Sequence, residues 1–220
     1  MNQPFADALI LAGGRSSRMQ VPKALLRHGD ALWLDEQIHR LDAAGIARVR
    51  LVLGYHMERQ LQEISWLADA LDGEASLPGL SVRVKVQVLV NEVPYRGPFS
   101  SLKTGLQGFT GEAVWMTPVD APVPPPAVFR AMAAALPGQA ACQPEGPGGR
   151  GHPVLLGPEA LAAIAGYGMD DPSARLDHIL RSLGDRVTTV PVDAEVHGNI
   201  NTPEDWQRYA GVRNASEYCR

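Results

Sequence analysis

The sequence predicts an α/β fold, a three-layer arrangement with helices on both faces of a mainly parallel, Rossmann-like sheet. Apolar runs alternate with amphipathic segments through more than the first half of the chain. Such an order produces right-handed crossovers between parallel strands. Glycine, asparagine or aspartate follows each apolar run, as expected where ligands bind at the carboxyl ends of strands. With 220 residues, the chain buries about 70% of its unfolded surface, which is enough for one core.

Four apolar runs in the first half are short enough for buried strands, and Val82–Val90 also alternates valine with other residues. The segments between these runs carry apolar residues at helical spacing, and Trp33–Ala44 is followed by a glycine stop at Gly45. The predicted strands are Ala8–Ala12, Arg48–Leu53, Val82–Val90 and Ala113–Val119. The predicted helices are Trp33–Ala44, Glu58–Leu71, Pro98–Phe109 and Ala127–Leu136.

The second half is less regular. We predict strands at Gln139–Gln143, Gly151–Leu156 and Val187–Val192, a Gly/Pro-rich loop at Pro144–Gly151, and helices at Pro158–Ile164, Ala174–Leu183 and Pro203–Tyr209. The tail from Gly211 to Arg220 has little pattern, and we expect it to be mobile. No internal repeat or low-complexity linker interrupts the sequence. We therefore assign residues 1–220 to one domain, with a core over about residues 7–210.

Charge and cysteine usage restrict the function classes. The formal net charge is −4 and the pI about 5.9, without a block of like charges, which argues against a nucleic-acid or membrane surface. Cys142 and Cys219 lack metal-ligand spacing, so neither structural zinc nor a disulfide framework is expected. Met1–Asp7 is polar and the apolar run after it is too short for a signal peptide. We expect a cytoplasmic protein.

The stretch after the first strand has the composition of a phosphate-binding loop. Gly13 and Gly14 allow a tight turn with exposed backbone N–H groups, and Ser16, Arg18 and Lys23 add hydroxyl and positive groups. The third glycine of G-x-G-x-x-G is missing, and no Gly-Lys-Ser/Thr of a Walker A loop follows. A Gly-Gly pair alone most often marks only a turn.

Two further polar segments fit either a structural or a metal-binding role. Asp120 ends an apolar strand, where an aspartate serves as a turn former or as a rigid Mg²⁺ ligand. The pattern of Asn199–Asp205 predicts the start of a helix, with Thr202 as N-cap and Pro203 at the first helical position.

The run Leu9–Lys23 resembles the signature L-A-(A/G)-G-x-S-x-R-M-x-x-x-K of nucleotidyltransferases that activate phosphorylated small molecules with an NTP. Gln20 departs from the pattern, because the family usually has glycine there. In this family, an Asp such as Asp120 is the metal ligand, and an Asn or Asp before Thr-Pro-Glu-Asp completes the site. The resemblance leaves Asn199 and Asn201 as alternatives, and we favour Asn201.

Two other motifs extend the resemblance. Gly97–Leu106 resembles the family's helix beside the nucleotide base, although Ser100 and Ser101 are also ordinary helix caps. The run Gly-His-Pro-Val-Leu at 151–155 resembles the molybdenum-cofactor branch, which places His152 near the acceptor, although a single loop histidine is more often only a surface residue.

Taken together, the chain from Leu9 to about Tyr209 resembles MobA/MocA-type nucleotidyltransferases. These enzymes have the fold of nucleotide-diphospho-sugar transferases and transfer a nucleoside monophosphate to a phosphorylated acceptor such as molybdopterin, with release of pyrophosphate and Mg²⁺ as cofactor. The resemblance implies Arg18, Lys23 and Asp120 as catalytic residues, His152 at the acceptor, and Asp120 with Asn201 or Asn199 at the metal. The predicted nucleotide-binding residues are Leu11, Ala12, Gly13, Gly14, Ser16, Arg18, Lys23, Gly97, Ser100 and Ser101, together with Asn91, which follows the third predicted strand.

The motifs for the nucleotide are mixed, and we favour CTP over GTP. Gly-His-Pro-Val-Leu-Leu and Ser-Ser-Leu-Lys-Thr-Gly-Leu (residues 100–106) resemble the cytidylyl branch, whereas Ala-Gly-Gly and Asn-Ile-Asn-Thr-Pro resemble the guanylyl branch. A sugar phosphate or another phosphorylated alcohol is an alternative acceptor, and a molybdoenzyme or its chaperone is a candidate partner. Rival functions are a nucleotide-binding module without transfer activity and an oxidoreductase with a nucleotide cofactor, against which the missing third glycine counts.

Overall fold

A computed structural model describes residues 5–77, 79–80, 84–193 and 198–217, with side chains up to residue 211. The strands are β1 (Asp7–Leu11), β2 (Arg27–His28), β3 (Ala31–Leu32), β4 (Arg48–Leu53), β5 (Lys85–Val90), β6 (Val114–Pro118), β7 (Ala141–Gly146), β8 (Gly149–Arg150), β9 (Val154–Leu156) and β10 (Val187–Pro191). The helices are α1 (Trp33–Ala43), α2 (Met57–Glu63), α3 (Leu67–Asp72), α4 (Pro98–Leu106), α5 (Pro126–Ala135), α6 (Pro158–Ala165), α7 (Leu176–Ser182) and α8 (Pro203–Glu217).

The main sheet is mixed but mostly parallel, which confirms the predicted fold class. Its strand order is β10-β7-β9-β6-β1-β4-β5, with β8 paired to β7. Strand β1 lies between β4 and β6 and runs parallel to both, and β5 runs parallel to β4. Because these strands are parallel, the segments that follow β1, β4, β5 and β6 all emerge at one edge of the sheet. Strand β9 runs antiparallel to both β6 and β7, and β8 runs antiparallel to β7. Within the described residues, the remaining strands of this sheet all run in the same direction.

Both faces of the central strands are buried, which explains why the sequence of β1 is almost continuously apolar. Ala8 and Ile10 pack into the core on the face of α1 and α5, together with Trp33 and Phe129. The residue between them, Leu9, packs on the opposite face in the core formed with α4, α6 and α7. The period of two along the strand therefore supplies two separate cores.

Several element boundaries differ from the sequence predictions. The helix predicted at Glu58–Leu71 is wrong as one element, because the chain is extended at Ile64 and divides it into α2 and α3. The loop predicted at Pro144–Gly151 is instead the β7–β8 hairpin, closed by pairing of Glu145 with Arg150. Residues 82 and 83 of the predicted strand Val82–Val90 lie outside the described residues, and the strand itself begins at Lys85.

Helix α8 extends beyond the predicted Tyr209 and continues to Glu217. A short hairpin formed by β2 and β3 and a 3-10 turn at Lys23–Leu25 were not predicted. Cys142 is buried as a free thiol, and burial raises its pKa to about 11, so it carries no reactive thiolate near neutral pH. Cys219 lies outside the described residues. No helix among those the structure describes has both the length and the apolar composition that spanning a bilayer requires.

Helix α4 packs on β1 through a glycine, and this contact yields a test of the fold. A Cβ added at Gly105 would lie 2.3 Å from Leu9 Cδ1 and 3.0 Å from Val52 Cγ2. Both neighbours are fully buried, so they have little room to move. We expect Gly105→Ala to lower the free energy of unfolding by about 1–2 kcal/mol, since overpacking outweighs the gain in helix propensity.

Urea unfolding measures this change, with Gly73→Ala as the matched control. A Cβ at Gly73 would meet nothing within 4 Å, so this control should stay within about 0.5 kcal/mol of the wild type. Equal stability of the two variants would contradict the close packing of α4 on β1.

Candidate active site

A cavity of about 530 Å³ opens at the edge of the sheet where β1, β4 and β6 end and α4 begins. Most of its wall comes from the segment that follows β1. The lining residues are Leu11, Ala12, Gly13, Gly14, Arg15, Ser16, Ser17, Arg18, Lys23, Tyr55, Pro94, Tyr95, Gly97, Pro98, Ser101, Pro118, Val119, Asp120 and Asn201. The cavity therefore gathers most of the residues that the sequence pattern singles out.

The conformation of the loop after β1 is fixed by two residues with left-handed backbone and by hydrogen bonds within the loop. Ser16 adopts a left-handed conformation with φ 49°, and its hydroxyl accepts a hydrogen bond from the backbone N–H of Lys23 at 3.2 Å. Its carbonyl accepts a second bond from the backbone of Met19, whose side chain is buried in the core. Gln20, where the family pattern has glycine, keeps the left-handed conformation with φ 59°. The loop thus retains this bend although a glycine is absent.

The two loops that follow β1 and β4 contact each other through glycines. A Cβ at Gly54 would lie 2.9 Å from the carbonyl oxygen of Gly13 and 3.0 Å from Pro94 Cβ. Gly13 is confined in the same way by Gly54 and by Ser101 Oγ. Gly14 differs, because a Cβ there would meet nothing within 4 Å. Gly13 therefore serves the packing of the loop, whereas Gly14 presents bare backbone to the cavity.

The polar centre of the cavity joins three segments that are distant in sequence. Lys23 Nζ donates to Asp120 Oδ2 at 2.7 Å and to Asn201 Oδ1 at 2.9 Å. The side chains of Lys23 and Asp120 are only 12% and 20% exposed. At this degree of burial, the charge pair is weakly screened by water. The ammonium group of Lys23 therefore binds side-chain oxygens of both Asp120 and Asn201, the two residues predicted to be metal ligands.

The oxygens at this centre fit a magnesium-type cation. Asp120 Oδ1 is buried and has no hydrogen-bond partner, so the carboxylate retains a free acceptor. Carboxylate and amide oxygens are hard ligands of the kind Mg²⁺ uses, and this ion takes its remaining ligands from phosphates and water. No group of three or more His, Cys, Asp or Glu side chains suited to a metal occurs within the described ranges. A cation here would depend on oxygens from a bound phosphate.

Of the two candidate asparagines, Asn201 faces Lys23 and Asn199 does not. The side chain of Asn199 is exposed, and its described contact is a backbone carbonyl that accepts from Asn201 Nδ2 at 3.4 Å. Between them, the backbone N–H of Ile200 donates to the carbonyl of Asp120 at 2.7 Å. This bond brings the segment against the end of β6 and turns Asn201 into the cavity.

A capping box at the start of α8 fixes the backbone of Asn201. Asp205 Oδ2 accepts from the backbone N–H groups of Asn201 at 3.0 Å and Thr202 at 2.9 Å. In return, Thr202 Oγ1 accepts from the backbone N–H of Asp205 at 3.2 Å. The predicted N-cap at Thr202 is therefore confirmed, and the reciprocal bonds are those of a capping box. Hydrogen bonds from the backbone of Asn201, and then from Thr202, lower the pKa of Asp205 from 3.8.

The start of α4 forms the cavity wall nearest β5. Gly97, with φ 91°, precedes Pro98 at the first helical position, and both residues line the cavity together with Ser101. Asn91 and Ser100 lie behind this wall and are only 2% and 1% exposed. Asn91 Nδ2 donates to the hydroxyls of Ser100 at 2.8 Å and Ser101 at 3.0 Å. Asn91 and Ser100 thus hold the wall in place and do not reach the cavity.

His152 lies near Asp120 but outside the lining of the cavity. Its Nδ1 atom is buried without a hydrogen-bond partner. Burial lowers the pKa of His152, and the negative charge of Asp120 opposes this effect only in part. His152 is therefore neutral near pH 7, and its ring nitrogens can form hydrogen bonds without adding charge to the site.

The sequence reasoning missed several lining residues, among them Arg15, Tyr55, Pro94 and Tyr95. Arg15 occupies a variable position of the signature, so the motif assigns it no role. Tyr55 could have been predicted from the sequence, because it comes directly after Gly54, the glycine that follows β4. Tyr95 was also detectable as an aromatic residue between β5 and α4, and it is 65% exposed.

A glycine-containing loop at the carboxyl edge of a parallel sheet is typical of α/β proteins that bind phosphorylated ligands. Residues 8–187 match the model of the MobA-like NTP transferase domain. The chain belongs to this family of nucleotidyltransferases. A search of curated proteins found no match.

Solved structures show the same fold at low sequence identity. Rv0371c from Mycobacterium tuberculosis is 22% identical, with a TM-score of 0.72 over 96% of this chain and 100% of that one. A complex of Rv0371c with manganese, at 21% identity, has a TM-score of 0.68 over 93% and 97% of the two chains. Molybdopterin-guanine dinucleotide biosynthesis protein A from Archaeoglobus fulgidus is 16% identical, with a TM-score of 0.66 over 95% and 99%.

The fold also extends to a cytidylyl enzyme. The 4-diphosphocytidyl-2C-methyl-D-erythritol synthase of Anaerococcus prevotii is 13% identical, with a TM-score of 0.69 over 97% of this chain and 100% of that one. The fold predicted from the motifs, that of nucleotide-diphospho-sugar transferases, is confirmed.

The capping box predicts a pH-dependent contribution to stability. Because the pKa of Asp205 is lowered in the folded chain, its carboxylate stabilises the fold fully above its unfolded pKa of about 3.9. This contribution is lost as the pH falls through the lower, folded value. We expect Asp205→Asn, which keeps an acceptor but removes the charge, to be less stable than the wild type near neutral pH. The difference should shrink as the pH falls below the unfolded value and through the lower, folded pKa.

Urea unfolding of both proteins across this pH range measures the difference. A stability gap that is the same at acid and neutral pH would contradict a role of the Asp205 charge at this cap.

Proposed function

We propose that this chain transfers a nucleoside monophosphate from an NTP to a phosphorylated acceptor and releases pyrophosphate, with Mg²⁺ as cofactor. The observation that carries the proposal is the meeting of Lys23, Asp120 and Asn201 beside the loop after β1. This contact puts a cation and two metal-type oxygens at one end of a cavity whose wall is made by a phosphate-binding loop. Phosphoryl-type transfer requires this combination, since it depends on positioning and charge neutralisation.

The loop would bind the triphosphate through backbone N–H groups and through Arg18. Gly14 leaves open space for the close approach of a phosphate. Arg18 is exposed, lines the cavity and forms no ion pair with any residue in the described part of the chain. Its positive charge is therefore available to an anionic ligand, for which a guanidinium group is well shaped.

Lys23 would stabilise the negative charge that develops at the α-phosphate during transfer. In the unliganded chain, its ammonium group neutralises Asp120. Asp120 and Asn201 would hold Mg²⁺, and Lys23, whose Nζ lies beside both oxygens, would contact the phosphate. The cation, when bound, supplies positive charge that neutralises the phosphate oxygens.

The acceptor phosphate would provide the nucleophilic oxygen without help from a general base, since a phosphate monoester is already an anion near neutral pH. His152 supports a binding role of this kind. Its lowered pKa makes it neutral, and its unpaired Nδ1 offers a hydrogen bond beside Asp120. We propose that His152 contacts the acceptor and does not transfer a proton in the rate-determining step.

We propose CTP as the nucleotide and a molybdopterin-type phosphate as the acceptor, with delivery to a molybdoenzyme or its chaperone in the cytoplasm. The support is the Gly-His-Pro-Val-Leu-Leu run that includes His152, together with the start of α4. The alternative acceptor is a sugar phosphate or another phosphorylated alcohol. Two structural neighbours have names that refer to a sugar phosphate or to an erythritol derivative. They are a putative glucose-1-phosphate thymidylyltransferase from Bacillus anthracis and the 4-diphosphocytidyl-2C-methyl-D-erythritol synthase of Anaerococcus prevotii.

The nucleotide is tested by thermal shift with CTP, GTP, ATP and UTP, each with and without Mg²⁺. A nucleotide at about 100 times its Kd should add about 2.7 kcal/mol of stability. We expect the largest shift with CTP and Mg²⁺, and we expect the magnesium-dependent part of it to disappear in Asp120→Ala. A larger shift with GTP would reassign the nucleotide, and no shift with any nucleotide would contradict the proposed function.

Transfer itself is tested by pyrophosphate release with molybdopterin or a sugar phosphate as acceptor. We expect Lys23→Ala and Asp120→Ala each to lower kcat by about a hundredfold, because each removes a charge that acts on the transition state. Lys85→Ala is the matched control, since Lys85 lies on β5 outside the cavity. Full activity in both site variants would contradict the assignment, and nucleotide binding without turnover of any acceptor would support a binding module.

A further inference from the structure

Arg15 is an exposed arginine whose backbone and side chain are both held by the loop that follows β4. Its Nη2 atom donates to the hydroxyl of Tyr55 at 2.8 Å. The guanidinium carbon lies 4.7 Å from the centre of the Tyr55 ring, which is within the range of a cation–π contact. Most exposed arginine side chains sample many rotamers, so two contacts to one aromatic residue select a single orientation.

The backbone around Arg15 is fixed by two further contacts. His56 Nε2 lies 2.8 Å from the carbonyl oxygen of Arg15, and because a carbonyl only accepts, this nitrogen carries the proton and donates. The backbone N–H of Tyr55 donates to the carbonyl of Gly13 at 3.2 Å. His56 has φ 63°, a left-handed conformation that is uncommon for a histidine. The segment Gly54–His56 therefore braces the loop after β1.

The charge of Arg15 has no counterion in the described part of the structure, where the ion pairs involve other residues. Lys23, on the same loop, is already neutralised by Asp120. Arg15 and Arg18 are therefore the two unneutralised cations among the residues that line the cavity. A cation that is fixed in place but unpaired is suited to an anionic ligand, since little side-chain entropy is lost on binding.

The position of Arg15 indicates which part of a ligand it would contact. Tyr55 follows β4 and Asp120 follows β6, on opposite sides of β1. Two strand spacings of about 4.8 Å separate these strands, so Arg15, stacked on Tyr55, lies on the side of the loop away from Lys23 and Asp120. A ligand that contacts both sides must span about this separation, and a chain of several phosphate groups has the length and the negative charge to do so.

We propose that Arg15, held by Tyr55, binds the terminal phosphates of the nucleoside triphosphate, the part that leaves as pyrophosphate. This inference rests on the proposed function, since it assumes that the α-phosphate lies at Lys23. Tyr55 and His56 are positioning residues, because they act through Arg15 and not by contact with the reacting atoms. The subsite requires a polyphosphate, so nucleoside monophosphates do not reach it.

The experiment compares the Kd values of CTP, CMP and inorganic tripolyphosphate by calorimetry in the presence of Mg²⁺, with the wild type and Arg15→Gln. We expect the Kd values of CTP and tripolyphosphate to rise by about tenfold or more in Arg15→Gln, as for a lost hydrogen bond to a charged group. The Kd of CMP should remain unchanged. Arg59→Gln on α2 is the matched control, because it removes an equal charge from an exposed arginine outside the cavity.

Conservative variants separate a binding role from a structural one. Arg15→Lys keeps the charge and should restore part of the tripolyphosphate affinity. Tyr55→Phe keeps the ring but removes the hydroxyl acceptor, and it should weaken tripolyphosphate binding less than Arg15→Gln while leaving CMP unaffected. Equal losses for CTP and CMP would overturn the inference, because they would place Arg15 at the nucleoside or the α-phosphate.

Failure of this inference and failure of the proposed function give different results. If the wild type transfers a nucleotide and Arg15→Gln binds tripolyphosphate as the wild type does, the inference alone is wrong. If tripolyphosphate binds through Arg15 but no acceptor is ever converted, Arg15 is a polyphosphate-binding residue and the proposed transfer activity is wrong.

Discussion

The contact of Lys23 with Asp120 and Asn201 is the interaction on which the architecture of the site depends. It joins residues separated by 97 and 178 positions, so the loop after β1, the end of β6 and the start of α8 must all be in place before it forms. A charge pair with this little exposure is sensitive to the loss of one partner, which leaves the other charge without compensation. The free oxygen Asp120 Oδ1 shows that the ammonium group alone does not saturate the carboxylate.

The same contact constrains how the site can bind a divalent cation. Lys23 Nζ holds one oxygen of Asp120 and the side-chain oxygen of Asn201, which are the two protein atoms proposed for the metal. Charges of +2 and +1 some 4 Å apart repel by about 8 kcal/mol at an effective dielectric constant of about 20. Metal binding by the unliganded chain therefore requires Lys23 to move. A polyanionic ligand would offset this repulsion, so the nucleotide and the metal should favour each other's binding.

Aromatic packing of α8 against α1 supports the segment that carries Asn201. Trp33, fully buried on α1, packs edge-to-face against Trp206 and Tyr209 of α8, with ring centres 5.3 and 5.1 Å away. Its indole N–H donates to the carbonyl of Val119 at 2.6 Å, next to Asp120. One tryptophan thus ties the closing helix to the end of β6. The core and the site are connected through this residue.

The sequence allowed us to predict the features that depend on local residue patterns, namely the central strands and the residues at their ends. The strands β1, β4 and β6 are short, mostly apolar runs, and residues that follow them, such as Asp120, must share one sheet edge because the strands are parallel. The division between α2 and α3 was missed, because apolar residues keep helical spacing across Ile64 and no proline or glycine marks the break. The strand β8 was missed because the Gly/Pro-rich composition of the β7–β8 segment resembles a loop.

Side-chain partners in the site were harder to predict than its location. The signature nominated Lys23, Asp120 and Asn201, but nothing in the spacing of residues 23, 120 and 201 shows that their side chains bond to one another. Asn91 was nominated as a nucleotide ligand because it follows a strand, although it is buried and bonds to Ser100 and Ser101. Arg15 was not nominated, because its restraint by Tyr55 depends on the tertiary contact of two loops.

The most direct test of this account is the affinity of the nucleotide-free chain for Mn²⁺, measured by calorimetry or by the electron paramagnetic resonance signal of the free ion. Lys23→Met removes the ammonium group that holds the two oxygens but keeps a side chain of similar length, and Lys85→Met is the control. We expect Lys23→Met to bind Mn²⁺ more tightly than the wild type and Lys85→Met do, and we expect Asp120→Asn in the same background to abolish this gain. Unchanged or weaker Mn²⁺ binding by Lys23→Met would contradict the claim that Lys23 occupies the metal ligands of the site.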